Sequence, residues 1–270
     1  MSKERITIAV KAALNAGKEI LEVYNSRDFE IKIKSDNSPL TLADKKAHNV
    51  IVDMLKPTNI PILSEEGKDI AFTERSQWEY YWLVDPLDGT KEFIKRNGEF
   101  TVNIALIHKG IPVAGVVYAP YLNDFYFAVK DVGAFKISVY NIDTEELQFD
   151  KLVELSQRLP IYKKKDKYTI VGSRSHMNED TEKFIANIKQ EYGDIDFISK
   201  GSSLKIVMVA EGKADIYPRF APTMEWDTAA GHAIALFAGC EITEKDEKTP
   251  LVYNKKELLN PWFIVKRKNL

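Results

Sequence analysis

The chain has 270 residues and a formal net charge of −2 at pH 7. This length allows one large domain or two modest ones, and the small net charge argues against a nucleic-acid polymer as partner. The single cysteine, Cys240, excludes an intrachain disulfide and a cysteine-rich zinc site, as expected in a reducing cytoplasm. No apolar run is long enough for a transmembrane helix or a signal peptide, so we expect a cytoplasmic protein.

The first half of the chain is predicted to combine two amphipathic helices with a series of strands. Apolar residues at helical spacing predict helices over 6–24 and 41–55. Thr41 stands at the N-cap of the second helix, and Pro57 ends it. The predicted strands are rich in β-branched and aromatic residues and lie at 60–63, 81–84, 101–107, 112–118 and 125–129. Short turns separate the last three, which predicts an antiparallel meander.

The second half is predicted to alternate strands and helices. Its strands lie at 168–172, 195–199, 214–217 and 262–265, and its helices at 179–192, 202–211 and 228–238. Residues 141–167 are polar and lysine-rich, which indicates a surface connection, and we assign them no role. The pattern predicts an α/β (α+β) protein with an antiparallel-rich half, residues 1–150, an alternating α/β half, residues 151–270, and the functional site between them.

The segment from Asp85 to Thr90, Asp-Pro-Leu-Asp-Gly-Thr, carries the strongest chemical signal. It places two carboxylates three residues apart directly after a predicted strand. Proline fixes the backbone between the acids, and Gly89 permits a tight turn or the close approach of a ligand. Carboxylates beside free backbone N–H groups suit a divalent cation and a phosphate together. Because the same residue types dominate ordinary surface turns, this segment alone leaves both interpretations open.

Three further acids stand at the ends of predicted elements: Asp44, Glu65 and Asp227. Each has a plain structural interpretation, as a first-turn acid, a solvated loop residue and the N-cap of the helix from Thr228, respectively. However, Glu65 and Asp85 both follow strands, where open sheets present ligand groups. Asp227 also lies in an apolar setting, where an unpaired carboxylate is costly. A divalent cation would compensate converging carboxylates, and these all-oxygen ligands favour Mg²⁺ over Zn²⁺.

These motifs resemble, in order and spacing, those of the Mg²⁺-dependent, lithium-sensitive inositol monophosphatase superfamily. The matching segments are 63–67, 85–90 and 226–231. Within the superfamily, Lys91-Glu92-Phe93 and the segment Asn97–Asn103 resemble the CysQ-type 3′(2′),5′-bisphosphate nucleotidases, whereas inositol monophosphatases usually have Thr-Asn-Phe after the Asp-Gly-Thr. The segments 172–176, 200–205 and 210–219 support the same subfamily. The resemblance covers about residues 5–265 and implies a layered α-β-α-β-α sandwich.

The resemblance implies a site that binds two or three Mg²⁺ ions. One ion would be held by Glu65, Asp85 and the Leu87 carbonyl, and a second by Asp85, Asp88 and Asp227, so that Asp85 bridges them. Two cations in this arrangement clamp both sides of an in-line displacement.

The resemblance also implies a catalytic pair beside the metals. The hydroxyl of Thr90 and the carboxylate of Asp44 would orient and deprotonate the attacking water, with Glu65 assisting as a metal ligand. Because threonine alone is a poor base, Asp44 has to take the proton. The backbone N–H groups of Gly89 and Thr90 would contact the phosphate.

The implied reaction is hydrolysis of the 3′-phosphate of adenosine 3′,5′-bisphosphate to AMP and phosphate, by two-metal activation of water. The resemblance extends this activity to 3′-phosphoadenylyl sulfate and links it to sulfur assimilation. A bisphosphorylated nucleotide needs cationic partners beyond the metals. The predicted substrate contacts are Glu65, Leu87, Asp88, Gly89, Thr90, Arg174, His176, Lys200, Ser202, Ser203, Lys205, Arg219 and Asp227.

Two alternatives stay open. The same chemistry could act on inositol monophosphate or another sugar phosphate, although Lys91-Glu92-Phe93 argues against it. A non-catalytic nucleotide-binding regulator would be marked by loss of Asp44, Thr90 or a metal ligand, and all of these are present. The resemblance also allows peripheral association with the inner membrane face, but the sequence contains no basic amphipathic anchor. It does not predict the oligomeric state.

Overall fold

The structure is a computed structural model that describes residues 3–26, 32–33, 39–142, 146–162, 166–173 and 177–268. Thr41 caps the second helix as predicted, since its hydroxyl accepts the N–H of Ala43 at 3.2 Å. That helix ends at Leu55, two residues before Pro57. The α-helices in these ranges are α1 (Lys3–Asn25), α2 (Leu42–Leu55), α3 (Phe72–Arg75), α4 (Thr90–Ile94), α5 (Phe149–Glu154), α6 (Glu179–Tyr192), α7 (Leu204–Glu211) and α8 (Glu225–Phe237).

A large, mainly antiparallel sheet dominates the first half of the chain. Two short strands outside it, β1 (Lys32–Ile33) and β2 (Pro39–Leu40), pair with each other. The large sheet contains, in spatial order, β3 (Ile62–Ser64), β4 (Tyr80–Asp88), β5 (Thr101–His108), β6 (Ile111–Ala119), β7 (Asp124–Val129), β8 (Gly133–Ser138) and β9 (Gln157–Arg158). Strands β3 and β4 are parallel, and the other neighbours are antiparallel. The predicted meander is confirmed.

A smaller mixed sheet lies in the second half. In spatial order it contains β11 (Ile195–Ser199), β10 (Tyr168–Gly172), β12 (Ile216–Arg219), β14 (Phe263–Arg267) and β13 (Cys240–Glu244). Strand β10 runs parallel to β11 and β12, and β14 is antiparallel to both of its neighbours.

Helices cover both faces of each sheet. Because side chains alternate along a strand, Trp82 and Val84 of β4 pack in one core with α1 and α2, and Tyr81 and Leu83 pack in a second core with α7 and α8. The second core includes the inner face of the small sheet, whose outer face packs on α6. The layers are therefore α1–α2, large sheet, α7–α8, small sheet and α6. The predicted α-β-α-β-α sandwich is confirmed.

Several elements differ from the prediction. The segment 141–167, predicted as a surface connection, contains α5 and β9, and β9 pairs with the edge strand β8 of the large sheet. Strands β8 and β13 were not predicted, because charged residues interrupt these short apolar runs. The strand predicted at 81–84 continues to Asp88. Within the described ranges, no helix combines the length and apolar character needed to cross a bilayer.

Candidate active site

A cavity of about 440 Å³ opens between the two sheets. It is lined by the ends of β4 and β12, the beginning of α4 and α8, and the turn before α7. Of the residues that the sequence assigns to the site, its walls contain Glu65, Asp88, Gly89, Thr90, Ser202, Ser203, Lys205, Arg219 and Asp227. Arg174 and His176 lie outside the described residues, and the cavity extends to Ser173 beside them.

Strand β4 brings Asp88 to the cavity wall through an irregular end, while Asp85 is buried. The register with β5 shifts between Asp85 and Asp88, so the strand contains the acids instead of ending before them. Pro86 lies within this irregularity, where a residue that cannot donate a backbone hydrogen bond is tolerated. The N–H of Leu87 donates to Asp85 Oδ1 at 3.0 Å. This local turn fixes Asp85 and points the chain toward Asp88 and Gly89.

Gly89 is required by the backbone at the beginning of α4. Its φ of +90° lies in the left-handed region, and an added Cβ would lie 3.0 Å from the carbonyl oxygen of Glu99. Two of the residues behind the subfamily resemblance, Lys91 and Glu92, line the cavity beside it, and Phe93 is buried against Tyr24.

Asp44 and Thr90 meet beneath the cavity. Thr90 Oγ1 lies 3.3 Å from Asp44 Oδ1 and 3.2 Å from the Leu87 carbonyl oxygen. The other oxygen of Asp44 accepts the N–H of Thr41 at 2.7 Å and its hydroxyl at 2.5 Å. Burial raises the pKa of Asp44 to about 6, although the hydrogen bonds from Thr41 act in the opposite direction. The capping box of α2 thus holds one oxygen and leaves the other toward Thr90.

Four carboxylates, which we call the acidic quartet, influence one another electrostatically: Glu65, Asp85, Asp88 and Asp227. Burial raises the pKa of Asp85 well above its ordinary value, and the charges of the other three raise it further. Burial also raises the pKa of Asp227, to which the charges of Asp88 and Glu65 add. The pKa of Asp88 is raised by burial, but the ammonium of Lys205 and the hydrogen bonds from Ser203 counteract this.

The donor chemistry of the acidic quartet fits a hard divalent cation. Its ligands are carboxylate oxygens, which are the donors that Mg²⁺ prefers. The charges of Glu65, Asp88 and Asp227 all raise the pKa of Asp85, and a bound cation would offset this mutual repulsion. No three acid, histidine or cysteine side chains in the described part of the chain have their donor atoms already gathered around one point.

Asp227 occupies a different helical position from the one predicted. The helix α8 begins at Glu225 with Met224 at the N-cap, three residues before the predicted start at Thr228, so the structural interpretation of Asp227 as the N-cap is wrong. Asp227 instead lies in the first turn, and its Oδ2 accepts the N–H of Met224 at 2.9 Å. A carboxylate at this position is stabilised by the positive end of the helix dipole. The helix extends N-terminally because the side chain of Asp227 satisfies an N–H that would otherwise lack a partner.

Three cationic side chains predicted to contact substrate already have protein partners. Lys200 Nζ lies 3.0 Å from the carboxylate of Glu99, and the buried Lys205 donates to the Ser202 carbonyl at 2.7 Å. Burial lowers the pKa of Lys205 to about 8. Arg219 donates to the Pro222 carbonyl at 3.0 Å, and its buried Nε has no partner among the described residues. Lys205 and Arg219 line the cavity, whereas Lys200 is not among its lining residues.

The sequence reasoning missed an apolar wall of the cavity. Its members are the side chains of Tyr217, Pro222, Met224, Leu259 and Phe263. Tyr217 and Phe263 lie in the paired strands β12 and β14, and Pro222 and Met224 precede α8. Leu259 lies before β14 and is joined to Met224 by an isolated antiparallel bridge. The one available signal was the position of Tyr217, Pro222 and Met224 close to Arg219 and Asp227 in the chain. The cavity therefore joins an acidic end, cationic side chains and an apolar surface.

Comparison with known proteins agrees with this architecture. The family model described as the inositol monophosphatase family matches residues 1–267. A protein of Shigella flexneri named 3′(2′),5′-bisphosphate nucleotidase CysQ is 46% identical over 257 residues, which cover 94% of this chain and 96% of the relative. The crystal structure of CysQ from Bacteroides thetaiotaomicron has a TM-score of 0.93 and 52% identity, covering 100% of this chain and 99% of that one.

A more distant solved structure shares the fold alone. It is an inositol monophosphatase of Thermotoga maritima, with a TM-score of 0.73 at 23% identity, covering 97% of this chain and 92% of that one. On these findings, the chain belongs to the inositol monophosphatase family.

Proposed function

We propose that this protein is a Mg²⁺-dependent 3′(2′),5′-bisphosphate nucleotidase that removes the 3′-phosphate of adenosine 3′,5′-bisphosphate. The observation that carries the proposal is the cavity, whose walls combine three members of the acidic quartet, the cationic side chains of Lys205 and Arg219, and an apolar wall. Its volume of about 440 Å³ is in the range of small-molecule sites. The CysQ relatives at 46% identity favour a bisphosphorylated nucleotide over inositol phosphate.

The acidic quartet and the Leu87 carbonyl would hold the metal ions. Bound Mg²⁺ supplies charge neutralisation for the phosphoryl group and lowers the pKa of water. We propose two ions. Glu65, Asp85 and the Leu87 carbonyl would bind one of them, and Asp88 and Asp227 would bind the other together with Asp85.

The pair of Thr90 and Asp44 would position the attacking water and accept its proton. Thr90 Oγ1 has a single hydrogen, which it can donate to Asp44 Oδ1, leaving its lone pairs to accept a hydrogen bond from water. As the water attacks phosphorus, the bond between phosphorus and the ribose 3′ oxygen breaks. The proton of the water passes to Thr90 Oγ1 while the threonine proton passes to Asp44, and the departing 3′ oxygen takes up a proton from solvent water to give the 3′ hydroxyl of AMP. Asp44 suits this role because burial brings its pKa near 6, closer to the working pH than that of an exposed aspartate.

The cationic side chains would neutralise the second phosphate of the substrate. Arg219 has a buried Nε without a partner among the described residues, so a phosphate that accepts from this guanidinium would remove an uncompensated donor. The apolar wall formed around Tyr217, Met224 and Phe263 provides a surface for the base and ribose. We also propose that the turn formed by Lys200, Ser202 and Ser203 contacts the substrate. Substrate contacts by Arg174 and His176 stay predictions.

The proposal is tested by the products that the purified protein forms from adenosine 3′,5′-bisphosphate. With Mg²⁺ we expect 5′-AMP and one equivalent of phosphate by chromatography, and with EDTA no product. The variant Asp88→Asn should lose nearly all turnover while keeping its fold, because it removes one negative ligand and little volume. Formation of 3′-AMP, or turnover that survives both EDTA and Asp88→Asn, would contradict the proposal.

The wider assignments stay predictions. They are activity on 3′-phosphoadenylyl sulfate with its link to sulfur assimilation, a cytoplasmic location, and the division at residue 150. The first is tested by including the sulfated nucleotide in the same assay.

A further inference from the structure

The segment Asn97–Asn103 contacts the turn that precedes α7, which lies a hundred residues further along the chain. Glu99 Oε2 accepts the N–H of Gly201 at 2.8 Å, while Glu99 Oε1 lies 3.0 Å from Lys200 Nζ. The hydroxyl of Thr101 lies 3.4 Å from Ser202 Oγ. In addition, Asn103 Nδ2 donates to Ser203 Oγ at 2.9 Å.

These contacts follow from the pleat of β5. Residues 101 and 103 lie on the same face of the strand, and residue 99 precedes them at the same spacing of two. Alternate side chains on the strand therefore meet the consecutive residues 201, 202 and 203 of the turn. We call Glu99, Thr101 and Asn103 the clasp.

The turn connects the clasp to the acidic quartet. Asp88 Oδ2 accepts the N–H of Ser203 at 2.6 Å and lies 3.0 Å from its hydroxyl. Ser203 Oγ also lies 2.6 Å from the carbonyl oxygen of Asp227. Because a hydroxyl has one hydrogen to donate, the hydrogen bond that Asn103 donates helps to fix its orientation. One residue of the turn thus links two members of the quartet.

The turn itself is held in a conformation that needs support. Ser202 has a φ of +45°, which is unfavourable for a residue with a Cβ. Asn103 is fully buried, and its Oδ1 has no hydrogen-bond partner among the described residues. A buried polar atom without a partner costs about 1–3 kcal/mol, so this asparagine is a poor choice for stability alone.

We propose that the clasp of Glu99, Thr101 and Asn103 consists of positioning residues that set the carboxylate of Asp88 for metal binding, through the turn of residues 200–203. The clasp fixes Ser203, and Ser203 holds one oxygen of Asp88, which leaves the other oxygen available as a ligand. This inference rests on the proposed function in one respect, the role of Asp88 as a Mg²⁺ ligand.

The test compares Glu99→Ala and Glu99→Gln with a matched control, Asp215→Ala. Asp215 is also a buried carboxylate that accepts a backbone N–H, that of Thr169 at 2.7 Å, and pairs with a cation, Arg267, at 3.2 Å. It directly precedes β12 of the small sheet and is not among the residues that line the cavity. Each protein is titrated with Mg²⁺ alone by calorimetry, its thermal midpoint is recorded, and amide exchange is measured over residues 200–206.

We expect Glu99→Ala to weaken Mg²⁺ binding about tenfold and to speed amide exchange over 200–206. The glutamine variant keeps an acceptor for Gly201 but loses the ion pair, so its loss should be smaller. The control Asp215→Ala should lower the thermal midpoint and leave Mg²⁺ affinity unchanged.

Mg²⁺ affinity of Glu99→Ala equal to that of the wild type would overturn the proposal, as would an equal loss in Asp215→Ala. Should Glu99→Ala fail to fold, Glu99→Gln decides by the same criterion. The titration needs no substrate, so it still decides the role of the clasp if the wild-type protein releases no phosphate and the proposed nucleotidase function fails.

Discussion

Asp44 is a buried carboxylate whose ionised form is costly to the folded protein. Burial raises its pKa to about 6 in the folded state, whereas the unfolded value is near 3.8. Because the folded state holds the proton more tightly, the free energy of unfolding falls as the pH rises from about 4 to about 6. Above that range the full cost is present. A residue kept at such a cost is expected to serve catalysis rather than stability.

The variant Asp44→Asn should therefore trade activity for stability. We expect kcat to fall about 10²- to 10⁴-fold, because the proton acceptor is lost. In EDTA at pH 7.5 its free energy of unfolding should exceed that of the wild type by about 3 kcal/mol, as the buried charge is removed. Urea unfolding at several pH values measures this difference, which should vanish near pH 4. If the difference in free energy of unfolding between the two proteins does not depend on pH, the ionised carboxylate of Asp44 is not its cause.

Local sequence predicts some residues of the candidate site but not the contacts between them. Asp44, Glu65, Asp88 and Asp227 were predicted as site residues because acids next to strand and helix ends are visible in a sequence. The role of Thr90 was predicted from the family resemblance. The hydrogen bonds from Thr41 to Asp44 were foreseeable as a capping box, but their effect on the orientation of Asp44 was not. The clasp contacts join residues about a hundred positions apart, and no local pattern encodes such a pairing.

At the scale of elements, the close contact between β6 and α8 positions the helix that carries Asp227. A Cβ on Gly115 of β6 would lie 2.5 Å from the carbonyl oxygen of Ala230 and 2.8 Å from the Cβ of Ala233. The first neighbour is helix backbone, which cannot rotate away. Glycine is needed here for close approach, not for an unusual φ.

We expect Gly115→Ala to displace α8, to lower the free energy of unfolding by about 1–3 kcal/mol, and to reduce activity as Asp227 moves. Gly239→Ala is a suitable control, because residue 239 follows the other end of α8, has a φ of +87°, and meets nothing within 4 Å. It should cost stability without affecting turnover of the folded protein. Urea unfolding and phosphate release are measured for both, and full activity in Gly115→Ala would refute the positioning role of this contact.

The long, regular elements and the short strands β10 and β11 were predicted correctly, whereas other short strands, such as β8 and β13, were not predicted. Helices α1, α2 and α6 and strands β5–β7 have clear periodicity, so their positions follow from local sequence. Strands β8 and β13 contain charged residues, and they form because neighbouring strands offer hydrogen-bond partners. Strand β4 extends beyond its apolar run for the same reason, since β5 pairs with it as far as Asp88. Such tertiary effects are absent from a single segment.

At the scale of the whole molecule, the layers place four mutually repelling carboxylates between two sheets. Repulsion within the acidic quartet opposes folding, and cation binding to the folded state should remove it. The layer order itself followed from the family resemblance. The apolar wall, however, depends on the antiparallel pairing of β12 with β14 and on the bridge between Met224 and Leu259, which local sequence does not determine.

Saturating Mg²⁺ should raise the thermal midpoint of the wild-type protein by about 5 °C or more, as expected for a ligand present far above its dissociation constant. In EDTA, Asp88→Asn should be more stable than the wild type, because one repelling charge is gone. The same variant should gain less from Mg²⁺. Differential scanning calorimetry measures both effects, and an equal Mg²⁺ shift in the two proteins would remove Asp88 from the metal site.

The central claim concerns the class of substrate, and it is tested most directly by the ratio of two kcat/KM values. With Mg²⁺ present, the purified protein is assayed for phosphate release from adenosine 3′,5′-bisphosphate and from inositol 1-phosphate. The cationic side chains and apolar wall should stabilise the nucleotide transition state, so we predict a ratio of about 10² or more in favour of the nucleotide. A ratio of one or below would contradict the account.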